Sequence, residues 1–339
     1  MKSVPVYHAV GMVLCHDVTR IVPGRHKGPA FKKGHIIASH DIEPLLDMGK
    51  ANVYVYDLSE GYIHEDDAAR RIASAAAGPG LQLTSPSEGR VNLKASLDGL
   101  LKVNPEALRQ INSVEDVVFA TLHTNLPVGR NQPVGGTRIT PLVTREQNIH
   151  RVESICREYA PVIQVKALHP LPVGIVTTGS EVFHGRIEDK FGPVLHVKFA
   201  ELGCPVKGQV FVSDDASLTA RAILEFIDEG AEMVAVTGGM SVDPDDRTPT
   251  AIRETGARVV TYGAPVFPGA MFMLAYLKEV PIVGLPGCVM YHRTSIFDLI
   301  VPRILAGEAI SRDDVIDLGH GGFCSSCATC TYPHCGFGK

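Results

Sequence analysis

The sequence predicts an α/β protein: a three-layer αβα domain on a mostly parallel sheet, preceded by a smaller α+β, β-rich N-terminal region. Three observations carry this. From Val173 onward, short apolar runs alternate with helical segments at the spacing of strand–helix–strand units. Three of those runs, ending at Thr177, Val236 and Leu285, stop at turns bearing glycine or proline. Before Val173 the runs are shorter, and turn clusters such as Pro23-Gly24 and Lys33-Gly34 interrupt them.

With 339 residues, two or three domains are expected, and 45% hydrophobic residues suffice to build real cores. We divide the chain into 1–80 (β-rich), 81–165 (α+β segment and linker), 166–310 (the α/β domain) and 311–339 (a cysteine-rich tail). The net charge of −5, with no basic patch or aromatic–basic interleave, argues against a nucleic-acid partner. The N-terminus lacks the apolar core of a secretory signal, and no run reaches membrane-spanning length, so the expectation is no membrane and a cytoplasmic location. Cys15, Cys156, Cys204 and Cys288 read as buried thiols.

In chain order, the stretch from Val4 to Leu58 reads as short strands and turns, with Asp41 capping a helix over 42–48 and a strand at Val53-Tyr-Val-Tyr56. Arg25, His26, Lys27, Lys32, Lys33 and His35 form a cationic loop, read as a solvated face. Helices follow over 65–77, 103–111 (opened by Asn104-Pro105) and 145–159, with a strand over 117–122. His123 and Arg130 carry no recognisable chemistry. In the α/β region, strands are expected at 173–177, 206–212, 233–236, 258–262, 271–277 and 281–285. Helices are expected at 192–202, 217–229, from Thr250, and over 289–306.

The chain is organised around Met233-Val-Ala-Val-Thr-Gly-Gly-Met-Ser-Val-Asp-Pro-Asp-Asp-Arg-Thr-Pro249. A buried strand, a glycine turn and a helix opened by Thr248-Pro249 make a candidate anion site. Gly238 and Gly239 let the backbone approach a ligand. Asp243, Asp245 and Asp246 are able to hold a metal ion or orient a hydroxyl. An ordinary strand-to-helix turn with solvated acids is the bland alternative for Gly-Gly alone. In sheets of this kind ligands sit off the carboxyl ends of the strands. Thr178-Gly-Ser-Glu181, Thr237-Gly-Gly239 through Asp246, and Pro286-Gly287-Cys288 are expected to share that edge.

These three motifs, in this order, resemble the molybdopterin-binding domain shared by molybdopterin molybdotransferases (the MoeA family) and molybdopterin adenylyltransferases. The resemblance covers about Pro172 to Gly307, and weaker similarity over 29–37 and 41–56 favours the molybdotransferase branch. It implies molybdopterin or its adenylate as ligand, molybdate as co-substrate, Mg²⁺ as cofactor and a homodimeric assembly. It further implies that Glu181 and Asp246 are the catalytic acids at the molybdate and metal end. Gly238, Gly239 and Ser241 would cradle the pterin phosphate, with Thr178, Gly179, Ser180 and Asp245 beside them. Pro286, Gly287 and Cys288 would form a second wall.

The departures bear on activity. Phe267-Pro-Gly-Ala270 stands where molybdotransferases carry Lys-Pro-Gly-Lys, Ser180 replaces an aspartate, and Cys288 an asparagine. Losing two cations weakens an anion site unless Arg247, His292 or Arg293 substitute. A cysteine-rich tail follows Gly319 in place of the family's C-terminal β domain. Two other functions therefore stand beside insertion of molybdate: non-catalytic binding and delivery of the cofactor to a client molybdoenzyme, and nicotinamide-nucleotide hydrolysis as in competence-inducible proteins.

In the tail, Cys324, Cys327, Cys330 and Cys335 are spaced x2, x2 and x4. In a cytosolic chain this argues for thiolate ligation of a metal rather than disulfides. Zinc is favoured over an iron–sulfur cluster, whose bacterial pattern requires x3 before a Cys-Pro, with His334 or His320 as substitute ligands. A redox-sensitive tail, or one lending a thiolate to the glycine-loop site, is the alternative.

Overall fold

The computed structural model describes residues 2–22, 26–55 and 61–339. Pro23, Gly24, Arg25, Tyr56 and Leu58, named above, lie outside the described residues, as do the side chains of His26 and Lys27. The chain forms two compact units.

The first unit comprises Met1–Leu97, Leu101–Leu122 and Val128–Val165. Its largest sheet runs, in spatial order, Leu81–Leu83, Arg90–Ala95, Pro133–Ile139 and Val117–Thr121, antiparallel throughout. Smaller antiparallel pairs join Lys2–Pro5 to Asn52–Val55 and Val18–Val22 to His26–Phe31. Helices span Ile42–Asp47, Glu65–Ala76, Pro105–Asn112 and Glu146–Glu158. Asn104 caps its helix as the sequence implied, its Oδ1 accepting the Ala107 N–H at 3.1 Å. Asp41 does not cap the helix that follows it. Its carboxylate accepts from the Ala38 N–H at 2.8 Å and sits 2.7 Å from His35 Nε2, closing the 3₁₀ turn before that helix. Lys33 likewise is engaged rather than solvated, pairing with Asp66 at 2.9 Å.

The second unit comprises Asp98–Leu100, His123–Pro127 and Lys166–Lys339. Its elements are β1 (Val173–Thr178), α1 (Ser180–Phe183), α2 (Phe191–Glu201), β2 (Val206–Val212), α3 (Ala216–Asp228), β3 (Met233–Thr237) and α4 (Thr248–Glu254). They continue as β4 (Arg258–Tyr262), β5 (Met273–Leu277), β6 (Val280–Leu285), α5 (Cys288–Tyr291), α6 (Ile296–Leu305) and α7 (Arg312–Ile316). The six strands order as β2-β1-β3-β6-β5-β4. The first four are parallel to one another, and β5 runs antiparallel to both its neighbours. The mostly parallel sheet is as the sequence predicts.

Alternation along the strands sorts side chains onto two faces. On one face Ile175, Ala235 and Leu285 pack with Leu195 and Phe199 of α2 and Ile300 and Ile304 of α6. On the other, Val176, Val236 and Ile282 pack with Ile223 and Phe226 of α3 and Ile252 of α4. The result is three layers. β1 and β3 are buried along their whole length, which is why both read as unbroken apolar runs.

Two expectations change. The single helix over 289–306 is two, α5 and α6, interrupted at His292–Ser295. A capping box restarts the chain: Ser295 Oγ accepts from the Phe297 N–H, and Asp298 Oδ2 accepts from the Ser295 N–H at 2.8 Å. Thr248 is the first residue of α4 rather than its cap, with Arg247 at the cap position, because the Thr248 hydroxyl is directed elsewhere.

Candidate functional site

The carboxyl ends of β1, β3 and β6 bring the three motifs to one edge of the sheet, where two adjoining cavities open. The first, of about 760 Å³, is lined by Thr178, Gly179 and Glu181, by Glu188 to Phe191, by Asp214, and by Gly238, Gly239 and Asp243 to Asp246. The second, of about 670 Å³, is lined by Gly238, Gly239, Met240, Ser241, Asp243 and Asp246, by Phe267 to Met271, by Pro286 to Cys288, and by Tyr291 and His292. Gly238, Gly239, Asp243, Asp246, Phe191 and Tyr291 line both. The glycine turn is thus their common wall.

The turn is locked from behind. Thr248 Oγ1 donates to the Gly238 carbonyl at 2.8 Å, and the Thr248 N–H donates to the Gly239 carbonyl at 3.1 Å. Thr178 Oγ1 lies 3.1 Å from Thr248 Oγ1, joining the end of β1 to the start of α4. Both glycines sit at positive φ, +81° and +51°. A Cβ on Gly238 would fall 2.1 Å from the Thr178 carbonyl oxygen, so only glycine fits there without backbone movement.

The acids are placed unequally. Glu181 is exposed on α1, while Asp246 is half-buried and accepts the Asp243 N–H at 3.1 Å. The Asp246 N–H in turn donates to the Asp243 carbonyl at 2.9 Å, closing the acidic loop on itself. Tyr262 reaches over from β4, its hydroxyl donating to the Met240 carbonyl at 3.0 Å. Burial and the nearby Asp246 carboxylate push that phenol above its usual range. Ser180, expected beside the ligand, lines neither cavity. Its N–H donates to Asp214 Oδ2 at 2.8 Å.

Sequence reasoning missed Asp214, Glu188, Asp189 and Tyr291 as lining residues. Asp214 was findable, since it follows β2 as Glu181 follows β1. Asp189 was not: it accepts the Gly192 N–H at 2.9 Å and the Gln209 amide at 2.7 Å, and no motif marks it. The first cavity is consequently rich in carboxylates, with Lys190 its basic side chain. The second has two carboxylates, one imidazole (His292) and the Cys288 thiol. Cys288, expected to be buried, is only half-buried, and that burial holds its thiol above the usual range.

The tail cysteines line a third cavity of about 480 Å³, with Tyr291, His292, Arg293 and Thr294 on its other side. Among the described residues, no group of three or more His, Cys, Asp or Glu side chains is drawn together to hold a metal ion. The expected cage of Cys324, Cys327, Cys330 and Cys335 is therefore not preassembled, and Glu181 and Asp246 are not part of one either. The physical reason lies in how the tail docks. Its path is set by Phe337, buried in the core, and by backbone bonds at Phe267 and Gly321, not by its thiols. Cys330 Sγ lies 3.3 Å from Thr294 Oγ1, and that contact holds the thiol below its usual range.

Among the described residues, no helix is long and apolar enough to cross a membrane. Two family models match the chain: a domain of unknown function at residues 3–57, and the probable molybdopterin binding domain at residues 174–306. Molybdopterin molybdenumtransferase of Synechococcus elongatus is 25% identical over 52% of this chain and 47% of its own length. A CinA-like protein of Mycolicibacterium vanbaalenii is 32% identical over 27% of this chain and 22% of its own length. The structure of the tungsten cofactor synthesizing protein MoaB of Pyrococcus furiosus shares 23% identity over 43% of this chain and 99% of that one, with a TM-score of 0.35. The chain thus spans about half the length of the first of these relatives and less of the second. About half of the chain aligns with molybdopterin molybdenumtransferase, and residues 174–306 match the probable molybdopterin binding domain.

Proposed function

We propose that this chain binds molybdopterin, or its adenylate, at the Gly238–Gly239 turn, as a molybdotransferase-like protein of molybdenum cofactor biosynthesis. One observation carries the reading. The turn that resembles the family's phosphate cradle is the shared wall of two cavities, one richer in carboxylates than the other. Gly238, Gly239 and Ser241 would bring backbone against the pterin phosphate, at a place where a side chain on Gly238 has no room. The second cavity, walled by Pro286, Gly287 and Cys288, suits an uncharged heterocycle and its sulfur atoms. The first is lined by oxygen donors suited to a hard cation. These carboxylates are not drawn together as a preformed cage, so Mg²⁺ would enter with the pterin phosphate, with Glu181 and Asp246 as its protein ligands, and would offset the repulsion between molybdate and the carboxylates.

Calorimetry with molybdopterin, followed by turnover with molybdate and Mg²⁺, tests the proposal. Saturable pterin binding that the Gly239→Val variant loses supports it. Unchanged affinity in that variant moves the site elsewhere.

A second reading, binding and delivery to a client molybdoenzyme without catalysis, is favoured by one departure. The loop Phe267–Ala270 brings no cation to the second cavity, leaving His292 as the sole basic side chain lining it among the described residues. Tight pterin binding with no turnover selects this reading. Hydrolysis of nicotinamide mononucleotide would instead select the CinA-like alternative. The family resemblance extends the proposal to a cytoplasmic homodimer, which sedimentation of the purified chain checks.

A further inference from the structure

The tail is a closed loop. The Cys324 N–H donates to the Phe267 carbonyl at 2.8 Å, and the Gly338 N–H donates to the Gly321 carbonyl at 2.9 Å. Between these ties, Phe337 is 4% exposed in the core and the Tyr332 hydroxyl donates to the Asp298 carbonyl at 3.1 Å. The intervening residues have no regular secondary structure. All four tail cysteines nevertheless line one cavity, and all four are free thiols.

That combination is unusual for a solvated tail. Cys324, Cys327, Cys330 and Cys335 stand at short, regular spacings on one docked loop around one cavity, which Ser325, Ser326, Thr329 and Thr331 also line. With its ends already tied, the loop needs little further entropy loss to contract, because closing it has been done by Phe337 and the two backbone bonds. Spacings of two residues let adjacent thiolates meet one tetrahedral ion, and the longer spacing returns the chain for the fourth. We infer that this cavity is the binding site of a single thiophilic divalent cation of the zinc class, ligated by Cys324, Cys327, Cys330 and Cys335. The thiols are not preassembled, so binding contracts the loop, and each thiol releases its proton on ligation. The cavity shares Tyr291 with both cavities of the glycine turn. The metal site itself does not depend on that pterin reading.

The test uses the reduced full-length chain under anaerobic conditions, titrated with Co²⁺ alone. The expected result is about one equivalent bound, with thiolate-to-cobalt charge transfer and the intense visible bands of a tetrahedral ion, displaced by Zn²⁺. Cys324→Ser and Cys330→Ser are each expected to lose the charge-transfer intensity in proportion to the missing thiolate. Circular dichroism without metal should match the parent chain, since Phe337 and the backbone ties remain. A weak octahedral spectrum without charge transfer overturns the assignment. So does a band that persists when all four cysteines are serine.

Discussion

Thr178 Oγ1 lies 3.1 Å from Thr248 Oγ1, and Thr248 gives its single hydroxyl proton to the Gly238 carbonyl 2.8 Å away. Thr178 is therefore the donor between the two hydroxyls. This relay, buried among the ends of β1 and β3 and the start of α4, fixes the glycine turn from behind. Thr248→Val keeps the side-chain shape but removes the donor to Gly238 and the acceptor for Thr178. We expect a loss of about 1–3 kcal/mol in urea unfolding, the cost of buried polar groups left unpaired. Pterin affinity should fall as well, because the turn loses its tether.

The two glycines should respond differently. At Gly238 an added methyl meets the Thr178 backbone oxygen at 2.1 Å, which the chain relieves only by moving β1 or the turn. At Gly239 the nearest atoms are the Thr248 and Thr178 hydroxyls at 3.0 and 3.1 Å, which small shifts accommodate. Gly238→Ala is expected to lower the melting temperature clearly. Gly239→Ala should cost about 1–2 kcal/mol for its left-handed backbone, yet fold and lose ligand affinity. Equal stability losses in the two variants would contradict this difference.

Asp246 holds the acidic loop closed through the Asp243 N–H, whereas Glu181 projects from α1. Asp246→Asn retains an oxygen acceptor for that N–H but removes the charge, and Glu181→Gln does the same on α1. Both should stay within about 0.5 kcal/mol of the parent in stability. Both should abolish any Mg²⁺-dependent step measured with molybdate. Full Mg²⁺-dependent turnover in Asp246→Asn would remove that residue from the chemistry.

In the first unit, His64 is 2% exposed, with Nδ1 2.8 Å from Lys33 Nζ and Nε2 bonded to the Cys15 carbonyl. Burial first, and then the Lys33 ammonium, holds its imidazole below 6.5. The unfolded chain therefore takes the proton before the folded one does. Stability from this group is full above the ordinary imidazole value and is lost as pH falls through it toward the folded one. The melting temperature of the parent chain should drop as pH falls below about 7, and His64→Gln should flatten that drop. Parallel profiles for the two proteins would assign the acid sensitivity to other groups.

What the sequence determined by itself was whatever depends on near neighbours. Continuous apolar runs named β1, β3 and β6 because strands buried on both faces need no polar side chain. Gly238 and Gly239 marked the site because both take a left-handed backbone, and Gly238 in addition lies against the Thr178 carbonyl with no room for a side chain. Asn104 announced its helix because a cap acts across three residues. The tertiary structure decided what depends on distant partners. Thr248 looked like a cap, but the Gly238 carbonyl and Thr178, the latter 70 residues away in sequence, claim its hydroxyl. Asp214 and Ser180 meet across 34 residues because β1 and β2 are parallel neighbours. The break between α5 and α6 had its local signal in Ser295 and Asp298, yet the run of apolar residues around it masked that signal. The tail cysteines show the division most plainly. Their spacing is a local property, but that all four residues border one cavity is set by where Phe337 enters the core and where Phe267 and Gly321 tie the backbone down. Chain connectivity carries short-range backbone needs directly, whereas side-chain convergence is known only once packing has chosen which distant segments touch.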